Sequence, residues 1–156
     1  MRRKLTLVLT IALVVVCGFA GWTWFRPYEW QPDPGAHFVI HEAWLTRDHS
    51  YIWLDLELKP SGGPATATAP LAAPDLSRPI VLVTGAGRIL DPADTTLTSE
   101  TGQGTSGVVL RYWLEPADLD QTLALKINDG TLHVKTTPGS PDLGADGKRF
   151  FLSNRW

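Results

Sequence analysis

The chain has 156 residues, including 14 lysines and arginines and 16 aspartates and glutamates. Four of the basic residues lie within the first 26 positions, so the remainder carries 10 basic and 16 acidic side chains, a formal charge of −6. An acidic domain without a basic stripe lacks the electrostatic footprint of nucleic-acid binding and is poorly suited to anionic lipid surfaces. The only cysteine, Cys17, excludes an internal disulfide.

An uncharged apolar run from Leu5 to Phe25 follows the basic residues at positions 2–4. At about 1.5 Å per residue, roughly 20 helical residues cover the hydrocarbon core of a bilayer, which is about 30 Å thick. Basic flanking residues stay preferentially on the cytoplasmic side. We therefore predict a membrane anchor over residues 1–26, in a single-pass protein of the inner (cytoplasmic) membrane whose C-terminal domain is periplasmic or extracellular.

Aromatic residues and one arginine end this segment, and amphipathic rings favour the membrane–water interface. The predicted interface residues are Trp22, Trp24, Arg26, Tyr28 and Trp30. The alternative is a secretory signal peptide cleaved after the small residue Ala20, which would release the domain from the membrane. Apolar residues that continue beyond Ala20 favour retention. Lipid attachment at Cys17 is disfavoured, because the preceding Val16 is bulky.

Residues 27–35 are interpreted as a juxtamembrane linker, and residues 36–156 have the patterns of one exported β domain. The segment from His37 to Thr46 is rich in strand formers. Between residues 52 and 58, isoleucine and leucine alternate with tryptophan and charged residues, a period of two that is typical of a strand covering a core. The polar residues 47–50 between these segments predict a hairpin turn.

A long loop is predicted at residues 60–79, which contain five prolines among alanine, threonine, glycine and serine. Proline withholds a backbone donor and glycine loosens the chain, so neither favours regular structure. Further strands are predicted at 80–84 and 108–114, and shorter ones near 88–90 and 95–98. No internal repeat is visible in these segments.

Residues 81–88 resemble the strand and glycine-rich turn that open a short-chain dehydrogenase. That family places further glycines next, where this chain has Ile89 and Leu90. The Asp-Pro pair at 91–92 also disfavours the helix whose N-terminus would receive a pyrophosphate. We therefore expect a strand that ends in a glycine-rich turn, and no nucleotide site.

The C-terminal part begins with a possible helical turn at 115–119, where proline suits the first helical position. Alternating residues at 123–127 and 132–134 predict a hairpin around the Asn-Asp-Gly sequence at 128–130, because an Asp-Gly pair supplies the positive φ angles of tight hairpins. A glycine- and proline-containing loop then leads to a terminal strand predicted at 148–152.

Together these segments predict an all-β fold: an immunoglobulin-like antiparallel β-sandwich of about seven strands, preceded by the N-terminal transmembrane helix. A small β-barrel is the alternative. The buried tryptophan between paired cysteines that is typical of antibody domains is absent. The prediction therefore concerns a general architecture and no specific family.

The four histidines are not predicted to form a metal site. His37 and His41 share one face of a strand but lie roughly 13 Å apart, too far to bind one ion without a bend. His41 and its neighbour Glu42 are expected on opposite faces. His49 is assigned to a turn and His133 to an outward strand position. We predict no metal ligand and no cofactor, although a site folded around His41 or His49 stays open.

No catalytic residue is predicted either. The sequence lacks the Gly-x-Ser-x-Gly pattern of a nucleophile elbow. Asp55 and Glu57 flank the solvent side of a strand, and Asp118 and Asp120 share a face only if the chain is extended. Carboxylate pairs of this kind act on glycosidic bonds only at a suitable separation. We interpret them as residues that solvate a sheet face, and we expect no enzyme activity.

The aromatic residues make the best case for binding. If residues 52–58 cover the core with their even positions, Tyr51 and Trp53 point the other way, and the same alternation turns Trp113 outward beside Arg111. An exposed tryptophan is costly unless a loop or a partner covers it. Packing of the 60–79 loop over these rings is the structural alternative.

The predicted function is that of a membrane-anchored, non-catalytic interaction protein, an accessory or assembly subunit of a cell-envelope membrane complex. The predicted partner-binding residues are the outward-pointing Tyr51, Trp53, Arg111 and Trp113. The first alternative is a periplasmic or secreted ligand-binding module for glycan that is released by signal cleavage. The second alternative is a metal-handling periplasmic protein.

Overall fold

The computed structural model describes residues 10–18, 30–61, 78–99 and 105–156. After residue 30, this described part contains nine strands, a 3₁₀ turn at Pro34–Ala36 and a short helix, α1, at Pro116–Leu119. The strands are β1 (Phe38–Asp48), β2 (Tyr51–Pro60), β3 (Val81–Thr84), β4 (Ile89–Leu90), β5 (Asp94–Ser99), β6 (Thr105–Leu114), β7 (Leu123–Ile127), β8 (Gly130–Lys135) and β9 (Lys148–Phe151).

The strands form two antiparallel sheets. One has five strands in the order β5-β6-β2-β1-β9, and the other has four in the order β4-β3-β7-β8. The inward side chains of both sheets share one hydrophobic core, in which Leu54 of β2 and Leu125 of β7 are fully buried. The prediction of an all-β domain is confirmed in a β-sandwich-like arrangement, with more strands than the seven or so expected.

The N-terminal segment is described only in part. Residues 10–18 are helical and expose their apolar side chains. In the described ranges, no helix combines the length and the apolar character needed to cross a bilayer. The remainder of the anchor predicted at 1–26, and most of the loop predicted at 60–79, lie outside the described residues. So do four of the predicted interface residues: Trp22, Trp24, Arg26 and Tyr28.

The β domain begins before the boundary predicted at residue 36. Trp30 is only 6% exposed and belongs to the hydrophobic core, so its predicted place at a membrane interface is wrong. Asp33 connects the 3₁₀ turn to β8. Its carboxylate accepts hydrogen bonds from the backbone N–H of Gly35 in the turn (2.9 Å) and of Thr131 in β8 (2.8 Å). Residues 30–35 are therefore part of the domain and not a linker.

β1 and β2 form the predicted hairpin, and their alternation explains which side chains face the core. The even-numbered residues of β2 from 52 to 58 are buried, and the odd-numbered ones face outward. β1 contains a β-bulge, because its register against β2 shifts between Ile40 and Glu42 and leaves His41 as the extra residue. A bulge re-aims the side chains beside it.

β7 and β8 form the second predicted hairpin, but its turn differs from the expected one. Asn128 and Asp129 form the two-residue turn, and the positive φ angle (53°) belongs to Asn128. Gly130 is the first residue of β8 and serves close packing, since a Cβ atom there would lie 2.2 Å from the backbone nitrogen of Ala36. The expectation that an Asp-Gly pair makes this turn is therefore wrong.

The glycine-rich segment after β3 turns back into β4. Gly87 has a φ angle of 82°, and the backbone N–H of Thr84 donates to the carbonyl of Arg88 at 2.9 Å. The Arg88 guanidinium reaches α1, where it contacts the buried carboxylate of Asp118 at 3.1 Å. Asp118 therefore holds α1 against this hairpin, which corrects its interpretation as a residue that solvates a sheet face.

Candidate functional site

Five aromatic side chains point away from the core on the outer side of the five-stranded sheet. Trp113 is 50% exposed and Trp44 is 45% exposed, although both belong to strands whose neighbouring residues are fully buried. The outward orientation predicted for Tyr51, Trp53 and Trp113 is confirmed. We call the five residues the aromatic face: Trp44, Tyr51, Trp53, Trp113 and Phe150.

Three of these rings group where β2 pairs with β6. The strand register places Trp53 directly opposite Trp113, with ring centroids 6.5 Å apart, and Tyr51 lies 4.3 Å from Trp113. The indole N–H of Trp53 donates to the carboxylate of Asp48 at 3.1 Å. Hydrogen bonds from His49 and Trp53 hold the pKa of the Asp48 carboxyl below its ordinary value. The Trp53 ring is thereby fixed in its orientation.

Arg111 lies beside this group on β6, directly opposite Asp55 of β2. Its guanidinium donates to both oxygens of Asp55, at 2.6 and 2.9 Å, and lies 5.7 Å from the centroid of the Trp53 ring. The hydrogen bond and charge of Asp55 raise the pKa of Arg111. The two hydrogen bonds fix the guanidinium beside the Trp53 ring, so Arg111 extends the ordered surface of the aromatic face.

A second aromatic pair, which was not predicted from the sequence, joins Trp44 of β1 to Phe150 of β9. The two residues are opposite each other in the register, and their ring centroids are 5.5 Å apart. Alternation alone indicates the orientation of Trp44, because its neighbours Ala43 and Leu45 are fully buried. The position of Phe150 depends on the pairing of β9 with β1, which no local pattern predicts.

Further along the same outer face lies a cluster of His41, Glu42 and Glu57. Because of the bulge, His41 and Glu42 both point outward, so the expectation that they lie on opposite faces is wrong. The register then pairs Glu42 with Glu57. One ligand atom from each of the three residues lies within 4.8 Å of the other two. An imidazole nitrogen and two carboxylates are donors that divalent metal ions accept.

The other three histidines lie apart from this cluster. His37 ends the 3₁₀ turn before β1 with a φ angle of 58°, and His49 lies in the β1–β2 turn. His133 lies on β8, in the other sheet. The bulge within β1 is therefore the bend that places a histidine beside Glu42 and Glu57. That histidine is His41, and His37 takes no part in the cluster.

No protein-family model, no curated protein and no solved structure matches this chain. The candidate binding features lie on the outer face of the five-stranded sheet. The aromatic face presents flat apolar rings bordered by carboxylates. The cluster around His41 presents metal donors.

Proposed function

We propose that this chain is a membrane-anchored, non-catalytic interaction protein whose β domain docks on a protein partner through the aromatic face. Its role is that of an accessory or assembly subunit in a cell-envelope membrane complex. The observation that carries the proposal is the outward orientation of five aromatic side chains on one face of one sheet. Large exposed aromatic patches mark interaction sites on soluble domains, and tryptophan is the residue most enriched among binding hot spots.

The order within the aromatic face also supports docking. The indole N–H of Trp53 is held by Asp48, and that of Trp44 by a carboxylate oxygen of Glu42 at 3.0 Å. Rings that are already fixed lose little conformational entropy when a partner covers them. The aromatic face is therefore prepared for contact before the partner arrives.

The charges around the rings indicate the chemistry of the partner. The outward positions of β1, β2, β5, β6 and β9 carry five carboxylates and three basic side chains, a formal charge of −2. Arg47 and Arg149 are not counted, because the register pairs them with the buried residues Ile52 and Leu45 on the inner side of the sheet. Complementary charge sets orientation and association rate. The partner surface is therefore apolar at its centre with basic residues at its rim. The charged residues at these outward positions are Glu42, Asp48, Asp55, Glu57, Asp94, Lys59, Arg111 and Lys148.

The finer architecture that we propose is an immunoglobulin-like sandwich. The order β1-β2-β6-β5 corresponds to strands A-B-E-D of an immunoglobulin domain, and β3-β7-β8 corresponds to C-F-G. β4 then extends the second sheet beside β3, and β9 extends the first beside β1. In this correspondence the aromatic face is the outer face of the A-B-E-D sheet.

The anchor proposed at residues 1–26 completes the function. It leaves the N-terminus in the cytoplasm and places the β domain in the periplasm or outside the cell. Tethering beside a membrane partner raises the effective concentration of the domain, so a contact that is weak between free molecules is sufficient.

A glycan-binding module is the second candidate, and one geometric feature favours it. The rings of Tyr51 and Trp113 lie 4.3 Å apart, with the carboxylates of Asp48 and Asp55 near them. Flat aromatic rings bordered by hydrogen-bond acceptors suit the apolar face and the hydroxyl groups of a sugar ring. This candidate fits a domain released by cleavage after Ala20.

The test is copurification of the full-length protein from native membranes after mild crosslinking. Trp113→Ala should weaken partner binding by about 2 kcal/mol or more, roughly thirtyfold in affinity, as expected for a central aromatic contact. Its melting temperature should change little, because the ring is half exposed. The matched control is Ile89→Ala, which removes an even more exposed apolar side chain from the other sheet (65% exposed) and should keep the partner.

Three outcomes contradict parts of the proposal. Copurification that survives both Trp53→Ala and Trp113→Ala excludes the aromatic face as the docking surface. If the wild-type protein binds to a polysaccharide column and the same variants do not, the aromatic face is a glycan-binding surface and not a protein-docking one. A mature chain whose intact mass begins at Gly21 removes the anchor.

A further inference from the structure

We propose that His41, Glu42 and Glu57 bind one divalent transition-metal ion, with Zn²⁺ the best match to their donors. The three ligands are not residues of the aromatic face, although Glu42 touches it through its hydrogen bond with Trp44, and the proposal does not rest on the docking role. All three side chains are accessible, with exposed fractions of 44% for His41, 26% for Glu42 and 31% for Glu57. An ion can therefore reach the donors from solvent.

The backbone creates this arrangement through the bulge and through the register shift that the bulge causes. The bulge adds His41 to β1 without a partner in β2, so that its imidazole joins the face of Glu42. The register then places Glu42 directly opposite Glu57. Like charges in directly opposite positions destabilise a pair of strands. A bound cation removes this repulsion, and a histidine beside the two carboxylates supplies a nitrogen ligand.

The distances are close to those that zinc requires. With metal–ligand distances of about 2.0–2.2 Å, a tetrahedral ion needs donor atoms roughly 3.4 Å apart. His41 Nε2 and Glu42 Oε1 are 3.7 Å apart, and the whole set lies within 4.8 Å. Tetrahedral binding then requires a rotation of the Glu57 side chain that brings its carboxylate closer to the other two donors. Three protein ligands leave the fourth position for water or for a group from a partner.

One neighbour of the two carboxylates supports metal binding, and another opposes it. The indole N–H of Trp44 donates to the other oxygen of Glu42 at 3.0 Å and so orients the carboxylate, as outer-shell partners do in metal sites. The Lys59 ammonium lies 3.7 Å from Glu57 and competes with a cation for it. The donor set favours a transition-metal ion that binds the imidazole nitrogen, because Ca²⁺ and Mg²⁺ prefer oxygen ligands alone.

The experiment titrates the full-length protein, purified without a polyhistidine tag, with Zn²⁺ in a calorimeter. We expect one ion per chain, and an excess of Mg²⁺ should not displace it. His41→Ala and Glu57→Gln should each weaken binding at least about tenfold, the loss caused by removing even an outer-shell partner. His49→Ala is the matched control, because His49 also lies beside a carboxylate, Asp48, but outside the cluster. This variant should bind Zn²⁺ like the wild type.

Two further measurements make the result specific to the site. Lys59→Met removes the competing ammonium and should tighten Zn²⁺ binding. In ¹⁵N spectra, Zn²⁺ should shift the indole resonance of Trp44, which is bonded to Glu42, and leave that of Trp53, which is bonded to Asp48. Equal losses in the His41 and His49 variants, or wild-type affinity in His41→Ala, would overturn the proposal. Melting temperatures of the variants show that each one is folded.

Discussion

Replacing Gly130 with alanine tests whether the segment from Trp30 to Ala36 is built into the β domain. A Cβ atom at position 130 would lie 2.2 Å from the Ala36 nitrogen and 2.7 Å from its Cα atom, both of them backbone atoms that cannot rotate away. An ordinary carbon contact is about 3.5–4.0 Å. The 3₁₀ turn must therefore move away from β8 by more than an ångström.

That movement breaks the hydrogen bonds that join the two segments. They run from Thr131 N–H to the Asp33 carboxylate (2.8 Å), from the Asn128 amide to the Ala36 carbonyl (2.8 Å), and from Asp129 N–H to the Gly35 carbonyl (3.1 Å). At about 1 kcal/mol for each bond, Gly130→Ala should lower the free energy of unfolding by about 3 kcal/mol.

Urea unfolding of the full-length protein in mild detergent measures this loss. The control is Gly87→Ala, where the φ angle of 82° is unfavourable for alanine but no atom lies within 4 Å of the new Cβ. It should cost about 1–2 kcal/mol. A Gly130→Ala loss no greater than the Gly87→Ala loss would refute the reasoning, because it would show that the turn does not bear on β8.

Two further predictions concern the core and the acid range. Leu54→Asp places an unpaired charge at a fully buried position and should destabilise the domain by about 4 kcal/mol in the same urea assay. Glu57→Gln, on the outer face, should change the free energy of unfolding by less than about 0.5 kcal/mol. Similar losses for the two variants would contradict the orientation of the sheet. The Asp33 carboxyl has a pKa below its ordinary value of 3.8 because the N–H groups of Thr131 and Gly35 donate to it, so its stabilisation is present above about pH 4 and is lost as the pH falls through the lowered pKa. The stability difference between the wild type and Asp33→Ala should therefore be larger at pH 7 than at pH 3, and an equal difference at both would contradict this account.

Much of the fold could be predicted from the sequence, because each strand buries one face and alternation reveals it. The orientations of Trp53 and Trp113 follow from this local rule. The bulge at His41 could not be predicted, since it depends on how β1 registers against β2. For the same reason the cluster with Glu57 was missed: a shift of one residue decides which face a side chain occupies.

Trp30 shows a second limit of sequence reasoning. A tryptophan after an apolar run suits a membrane interface, but its large apolar ring suits a protein core equally well. Only the contacts between the 3₁₀ turn and β8 distinguish the two environments. The choice is made by residues about 100 positions away in sequence, such as Thr131, which no local pattern connects to Trp30.

The bulge in β1 also affects how the protein behaves at high concentration. β9 pairs with β1 only from Ala43 to Thr46. In the described residues, no strand pairs with the outer edge of β1 at 38–42. An unpaired strand edge is the kind of site at which a strand from another molecule can add. The extra residue His41 lies within this open stretch, next to the charged Glu42. A bulged and charged edge offers poor register to an incoming strand, so we expect the irregularity to disfavour sheet-to-sheet pairing between molecules.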